Sequence, residues 1–219
     1  MNRIAPLIAV LVSLLAAPAA RAQEFHRNAY GMYVAPTFYG IAKGTEYELA
    51  NSGGGLDFGL YYAHAFAPVL SMRIEARYAT RALEDVNWNE FFHAYDVYRL
   101  SEKIIEIPVL LEADRRIDVG NHQLRISVGG GASYQYVLEQ EMLEPFEIDS
   151  GYHFPPTGSY QKLAMLFDGG ATFDVDRKSA VFLRMRFGFD AFTWGESSDD
   201  SLVRRFWATG FYAGFEYGF

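Results

Sequence analysis

The chain has no cysteine. That absence removes disulfides, thiol nucleophiles and thiolate metal sites together. It has only five histidines, His26, His64, His93, His122 and His153, and no HExxH, GxSxG or phosphate-cradling glycine loop. The runs Gly53–Gly55 and Gly129–Gly131 lack a strand-loop-helix setting and are read as places where strands bend. Positive charge is scarce, with 19 Lys and Arg against 27 Asp and Glu and a formal charge of −8. A nucleic-acid partner needs a basic face, so none is expected. Beyond the first segment, no stretch approaches the ~20 apolar residues of a membrane-spanning helix.

The first segment is of another kind. Arg3 is a short basic start, Ile4–Leu15 is apolar, and Ala20-Arg21-Ala22 has the A-x-A form of a processing site. Residues 1–22 are therefore expected to be a cleaved signal peptide, and residues 23–219 a single exported domain. No cysteine follows the apolar run, which excludes a lipoprotein. Losing Arg3 and Arg21 leaves the mature domain two units more negative than the whole chain.

Aromatic residues are plentiful, with 18 Phe and 15 Tyr, and the chain ends FWATGFYAGFEYGF. In that ending Trp207, Thr209, Phe211, Ala213, Phe215, Tyr217 and Phe219 alternate with residues that include Gly210, Gly214, Glu216 and Gly218. Period-two alternation is the mark of a strand. An aromatic face over a glycine-and-charge face suits a strand with apolar surroundings outside, which a bilayer supplies. Seven earlier stretches alternate likewise: 29–39, 55–64, 69–80, 104–113, 122–138, 160–173 and 180–193. The third is the clearest, with Leu70, Met72, Ile74, Ala76 and Tyr78 against Ser71, Arg73, Glu75 and Arg77. Eight strands joined by alternately long and short connections predict an all-β fold, an eight-stranded antiparallel up-and-down transmembrane β-barrel. A soluble eight-stranded barrel gives the same alternation with the faces exchanged. The connections 81–103 (with Trp88, Phe91, Phe92, Tyr95 and Tyr98) and 139–159 (with Glu139, Glu141, Glu144, Glu147 and Asp149) are read as long loops. The acidic one lacks the D-x-D-x-D-G spacing of a calcium loop, and no metal or cofactor is expected.

Collecting the inward face of each strand gives a lumen charge network: Asp57, Arg73, Glu75, Arg77, Glu106, Glu112, Arg125, Asp168, Arg184, Arg186, Asp190 and Glu216, with Lys162 beside them. The two signs nearly cancel. An eight-stranded barrel is only wide enough for side chains to fill it, so these residues predict an ion-paired plug. Pro36 and Pro108 cannot donate to a ladder, and an irregularity is expected at each.

Three segments resemble small outer-membrane barrels of the PorT-like and OmpX- or OmpA-like kind: Ser71–Arg81 (SMRIEARYATR), Glu102–Ala113 (EKIIEIPVLLEA) and Gly214–Phe219 (GFEYGF). The last matches the terminal assembly signal of such proteins, with Gly214, Tyr217 and Phe219 in its positions. The resemblance implies an outer-membrane location in a Gram-negative-type bacterium. It also implies contact with outer-membrane lipids and with the barrel-assembly machinery. It conveys fold and location better than activity. No catalytic residue is expected, because none of the histidines stands in a nucleophile–base pattern. The reading is a non-enzymatic barrel acting on the envelope or on an unidentified surface ligand or envelope protein through its long loops. The alternatives are a narrow, porin-like channel for ions or small solutes and, with less support, a lipid-modifying enzyme.

Overall fold

A computed structural model describes residues 28–42, 52–89, 94–145, 160–195 and 205–219. The expected signal peptide lies outside them. The described residues form eight strands: β1 Asn28–Ala42, β2 Ser52–Ala67, β3 Leu70–Asn89, β4 Ala94–Val119, β5 His122–Pro145, β6 Tyr160–Asp174, β7 Ser179–Gly195 and β8 Arg205–Gly218. Each pairs antiparallel with its sequence neighbours, and β8 returns to β1 with Ala29 opposite Gly218 and Ala42 opposite Arg205. The sheet closes without an edge, so every strand has a partner on both sides.

The two faces settle the orientation that alternation alone leaves open. Outward residues are apolar: Met32, Val34, Leu60, Ile74, Val109, Phe167, Leu183, Phe211 and their neighbours, with Leu183 63% exposed. Inward residues are charged or polar, with Arg73 1% and Lys162 0% exposed. A water-soluble barrel would show the reverse. Small apolar clusters interleave with the charges, one of Ala79, Ile104 and Val137 and another of Leu110, Ala164 and Leu166.

Two of the expected loops are shorter than the sequence pattern implied. Residues 81–89 and 94–103 are strand, paired from Arg81 opposite Glu102 to Asn89 opposite Ala94. Residues 139–145 likewise continue β5 and pair with β4 up to Tyr98 opposite Pro145. Bulges between Arg99 and Leu100 and between Lys103 and Ile104 shift the register there. The extra residue of a bulge breaks strict alternation, which is why the pattern fades before the strands end.

At both prolines the ladder is interrupted on one side. In the β1–β8 pairing the sequence runs from Val34 opposite Ala213 to Thr37 opposite Gly210, with no pair at Ala35 or Pro36. In the β3–β4 pairing it runs from Ile74 opposite Val109 to Arg77 opposite Glu106, with none at Pro108. The register is unchanged across both gaps, so each proline costs hydrogen bonds but inserts no residue.

Glycine opposite an aromatic ring is a recurring pair inside the barrel. Gly31 faces Tyr61, Gly59 faces Tyr33, and Gly214 faces Phe182 across their ladders. A Cβ on Gly59 would lie 2.2 Å from the Tyr33 ring, and one on Gly214 2.5 Å from that of Phe182. The missing side chains are what let three rings lie flat across the narrow lumen.

Candidate functional site

The candidate site is the lumen itself, a column of charge running between the short-turn end and the end bearing the longer connections. Three levels follow the strand register.

The central level holds Arg73 on β3, Arg184 and Arg186 on β7, Glu75 on β3, Glu112 on β4 and Asp168 on β6. Arg186 grips Glu75 through both terminal nitrogens, at 2.8 and 2.7 Å. Its Nε donates to Asp168 at 3.0 Å. Arg184 Nη1 donates to Glu112 at 2.6 Å and to Asp168 at 3.1 Å. Arg73 completes the set, with Nη2 at 2.9 Å from Glu112 and 3.0 Å from Asp168, and Nε 2.8 Å from Glu75. The Arg73 contacts lie off the N–H directions and act as ion pairs, not hydrogen bonds. Three guanidiniums thus meet three carboxylates in one buried layer, and Tyr33 Oη adds a 2.7 Å bond to Glu75. Burial makes each lone charge costly, and the closed pairing is what offsets it.

The level toward the longer connections holds Asp57, Arg77, Arg81, Glu102, Glu106, Lys162 and Asp190. Arg77 donates to Asp57 at 3.1 Å, to Glu106 and to the Tyr212 hydroxyl. Thr37 donates to Asp57 at 2.7 Å and Tyr39 at 3.1 Å. Arg81 stands 3.6 Å from Glu102, donates to Gln135 at 3.3 Å and lies over the Tyr39 ring at 4.5 Å. Lys162 pairs with Asp190 at 3.1 Å. A cavity here, lined by Arg77, Arg81, Gln135 and Tyr212 among others, measures only about 20 Å³. That is room for a single water.

At the short-turn level Arg125 on β5 pairs with Glu216 on β8, and Tyr61 donates to Glu216 at 2.7 Å. Below this pair the lumen widens into an open vestibule of about 550 Å³. The β6–β7 turn frames it. There the Asp176 carboxylate accepts the backbone N–H groups of Lys178 and Ser179, each at 2.8 Å, and these bonds hold its pKa below the usual aspartate value.

All twelve residues of the lumen set face inward, and the structure brings eleven of them into direct ion pairs with one another. Asp190 pairs instead with Lys162. Two members were missing from the sequence reading, Arg81 and Glu102, because both fell in a stretch read as loop. Parity would have found them: 73, 75, 77, 79 and 81 share one face of β3, and Glu102, Glu106 and Glu112 share one face of β4. Of the histidines, His64 Nδ1 lies 2.9 Å from Asn28 and His122 Nδ1 lies 3.1 Å from the Asp174 carbonyl, at the rim and apart from the charge column. His26, His93 and His153 lie outside the described residues.

The residues of the terminal motif sit on the seam between β8 and β1. Gly214 packs beneath Phe182. Tyr217 and Phe219 flank Tyr30 of β1, with ring centroids 5.5 and 5.6 Å away. The backbone is tied there too, Gly218 N–H to Lys178 C=O at 2.7 Å and Phe219 N–H to Asn28 C=O at 2.9 Å.

Among solved structures, the chain is similar to the outer membrane protein OprG from Pseudomonas aeruginosa. The two are 12% identical, with a TM-score of 0.55 over 91% of this chain and 99% of that one. Neisserial surface protein A gives 8% identity and a TM-score of 0.49, over 87% of this chain and 99% of that one. Ail, the attachment invasion locus protein of Yersinia pestis, gives 11% and 0.39, over 88% and 99%. No family model and no curated protein matches the chain. At such identities the likeness is one of fold: a closed, eight-stranded barrel of the small outer-membrane type.

Proposed function

We propose that this chain is an outer-membrane barrel without enzymatic activity, closed to solutes by its ionic plug. Its work then lies at the rim, in contacts made by the strand ends and connections beyond the lumen. The observation that carries the reading is the combination of an apolar outer face with a lumen whose charges are consumed by one another. A catalytic or conducting site keeps a polar group or a water path available for its substrate. Among the described residues, a cavity in the outer half, lined by Arg77, Arg81, Gln135 and Tyr212 among others, is the size of one water. The location is supported by the fold likeness to an outer membrane protein. The kinship with PorT-like, OmpX-like and OmpA-like barrels and the assembly role of Gly214, Tyr217 and Phe219 belong to the same proposal. So do cleavage after Ala22, contact with the lipids of that membrane and an unidentified surface ligand or envelope partner.

The continuous polar column favours a second reading, a narrow channel for ions or small solutes whose ion pairs open transiently. Planar-bilayer recording of the refolded protein separates the two. The plug predicts no stable conductance steps, and reproducible steps favour the channel. Lipid A profiles from cells with and without the protein should be identical; a changed acylation pattern would overturn the non-enzymatic reading.

A further inference from the structure

At the short-turn end the hairpins do not finish together. The β6–β7 hairpin stays among its neighbours, with Phe173 opposite Leu124 and Ser179 opposite Tyr217. The β4–β5 hairpin does not. β3 begins at Leu70, opposite Ala113, while β4 runs on to Val119. Arg115–Val119 thus projects past β3 by roughly 17 Å of strand, at ~3.3 Å per residue. Its β5 side is paired as far as Val119 opposite His122. On its other side Asp114 N–H reaches the Val69 carbonyl at 2.9 Å, and there the chain turns back into β2. Among the described residues no strand lies beside Arg115–Val119 on that side. The barrel wall has no edge, but this projection has one.

Main-chain groups alternate sides along a strand, so positions 114, 116 and 118 turn theirs toward the open side. An open sheet edge does not occur in hydrocarbon, so the projection stands beyond the bilayer core. Its side chains nonetheless include exposed apolar ones: Ile117 and Val119 on the outward face, with Ile126 beside them on β5 opposite Arg115. No proline or bulge interrupts the edge, though these are devices that blunt one. Arg115, also exposed, places a cation on the same face. Asp118 belongs to the other face and accepts from Gln123 at 3.1 Å. An open ladder flanked by apolar side chains and a cation has the parts that strand addition uses: main-chain bonds for affinity, alternate side chains for specificity. A second copy in the same membrane would bring the same edge in the same direction and at the same height, N–H against N–H. The edge therefore does not pair with itself there.

We propose that the β4 edge at Arg115–Val119 takes an extended segment of a periplasmic protein as an added antiparallel strand. The partner carries apolar side chains opposite Ile117 and Val119 and a carboxylate opposite Arg115. The proposal rests on the outer-membrane reading, which puts the short turns in the periplasm.

The test titrates the refolded full barrel in zwitterionic micelles with the peptide acetyl-TVTVTE-amide, followed by backbone NMR. Its two valines and its glutamate are spaced to meet Val119, Ile117 and Arg115. Saturable shifts confined to Arg115–Val119, with amide exchange at Asp118 slowed about fivefold or more, support the proposal. A peptide with lysine in place of the glutamate should bind about three- to tenfold more weakly. Asp118→Pro removes an N–H offered to the partner and should abolish binding, whereas Asp118→Ala keeps that N–H and should bind as the parent does. Retention of the heat-dependent gel shift checks that each variant is folded. No saturation with the peptide overturns the proposal, and so does equal binding by the two Asp118 variants. Slow exchange at Asp118 before peptide is added also overturns it, since the edge would already be covered by detergent or by a second copy. In whole cells, Val119→Cys should react with an impermeant maleimide only once the outer membrane is permeabilised. Labelling of intact cells would overturn the periplasmic partner whatever the peptide does, and would fault the location separately from the edge.

Discussion

Arg186 and Glu75 form a two-armed ion pair at the centre of the barrel, 111 residues apart in sequence, with nitrogen–oxygen distances of 2.8 and 2.7 Å. Glu75 also takes Arg73 and Tyr33. Substituting Glu75→Gln leaves three central arginines facing two carboxylates. Breaking a buried pair from one side should cost about 3–5 kcal/mol. The double substitution Glu75→Met/Arg186→Met removes both charges and should cost less than the single one. Urea unfolding in lipid vesicles, read by gel mobility, checks the order. A double variant weaker than Glu75→Gln would show that the plug is not held by charge balance.

On the outer face, Ile74 is the neighbour of Glu75 and points the other way. Ile74→Lys should destabilise the folded barrel by about 2–4 kcal/mol if the residue meets the bilayer midplane. The same substitution on a solvated surface would cost little. Folding equilibria in vesicles give the difference directly.

Alternation by itself makes these two adjacent residues legible as opposites, because side chains on a strand change face at every step. The eight strands, their order and the character of each face were all readable on that basis. Strand ends were not. Arg81, Glu102 and the reach of β3, β4 and β5 beyond the rest were hidden by bulges and by aromatic and acidic residues that imitate loop composition. The mutual geometry of the charges was also out of reach, since it depends on which strands meet across the lumen. Arg73 and Asp168 lie 3.0 Å apart on strands that are not adjacent. The vestibule had no sequence signal, being built from two hairpin ends distant in the chain.

Gly31 and Gly169 separate room from flexibility. A Cβ on Gly31 would lie 2.5 Å from both the Tyr61 ring and the Phe215 carbonyl oxygen, and the latter is backbone that cannot swing away. Gly31→Ala should cost about 1–3 kcal/mol. At Gly169 the nearest atom would be 3.6 Å away, an ordinary contact. Gly169→Ala should be neutral or gain about 0.4–1 kcal/mol through the unfolded chain. Comparing the two variants by urea unfolding tests the aromatic-over-glycine pairs.

Phe219→Ala removes the ring beside Tyr30 on the closing seam. The proposed assembly role predicts a lower yield in the outer-membrane fraction with little change in stability once folded. Equal yields of variant and parent would detach the terminal motif from assembly.

Asp176 offers a test in the solvent-exposed β6–β7 turn. Its folded-state pKa lies below the unfolded value because the Lys178 and Ser179 N–H groups favour the charged form. Its contribution to stability is therefore present above the unfolded pKa and is lost as pH falls through the folded one. An NMR titration of its carboxyl carbon should show a midpoint below that of an aspartate in a model peptide.

The central claim is that the apolar face meets lipid and the charged face meets itself. The chain has no cysteine, so single cysteines at Leu60, Ile74, Val109 and Leu183 can each carry an environment-sensitive fluorophore without background labelling. In vesicles of brominated lipid, all four labels should be quenched by the acyl chains and protected from aqueous iodide. Quenching by iodide and not by the brominated chains would place these residues in water and contradict the account.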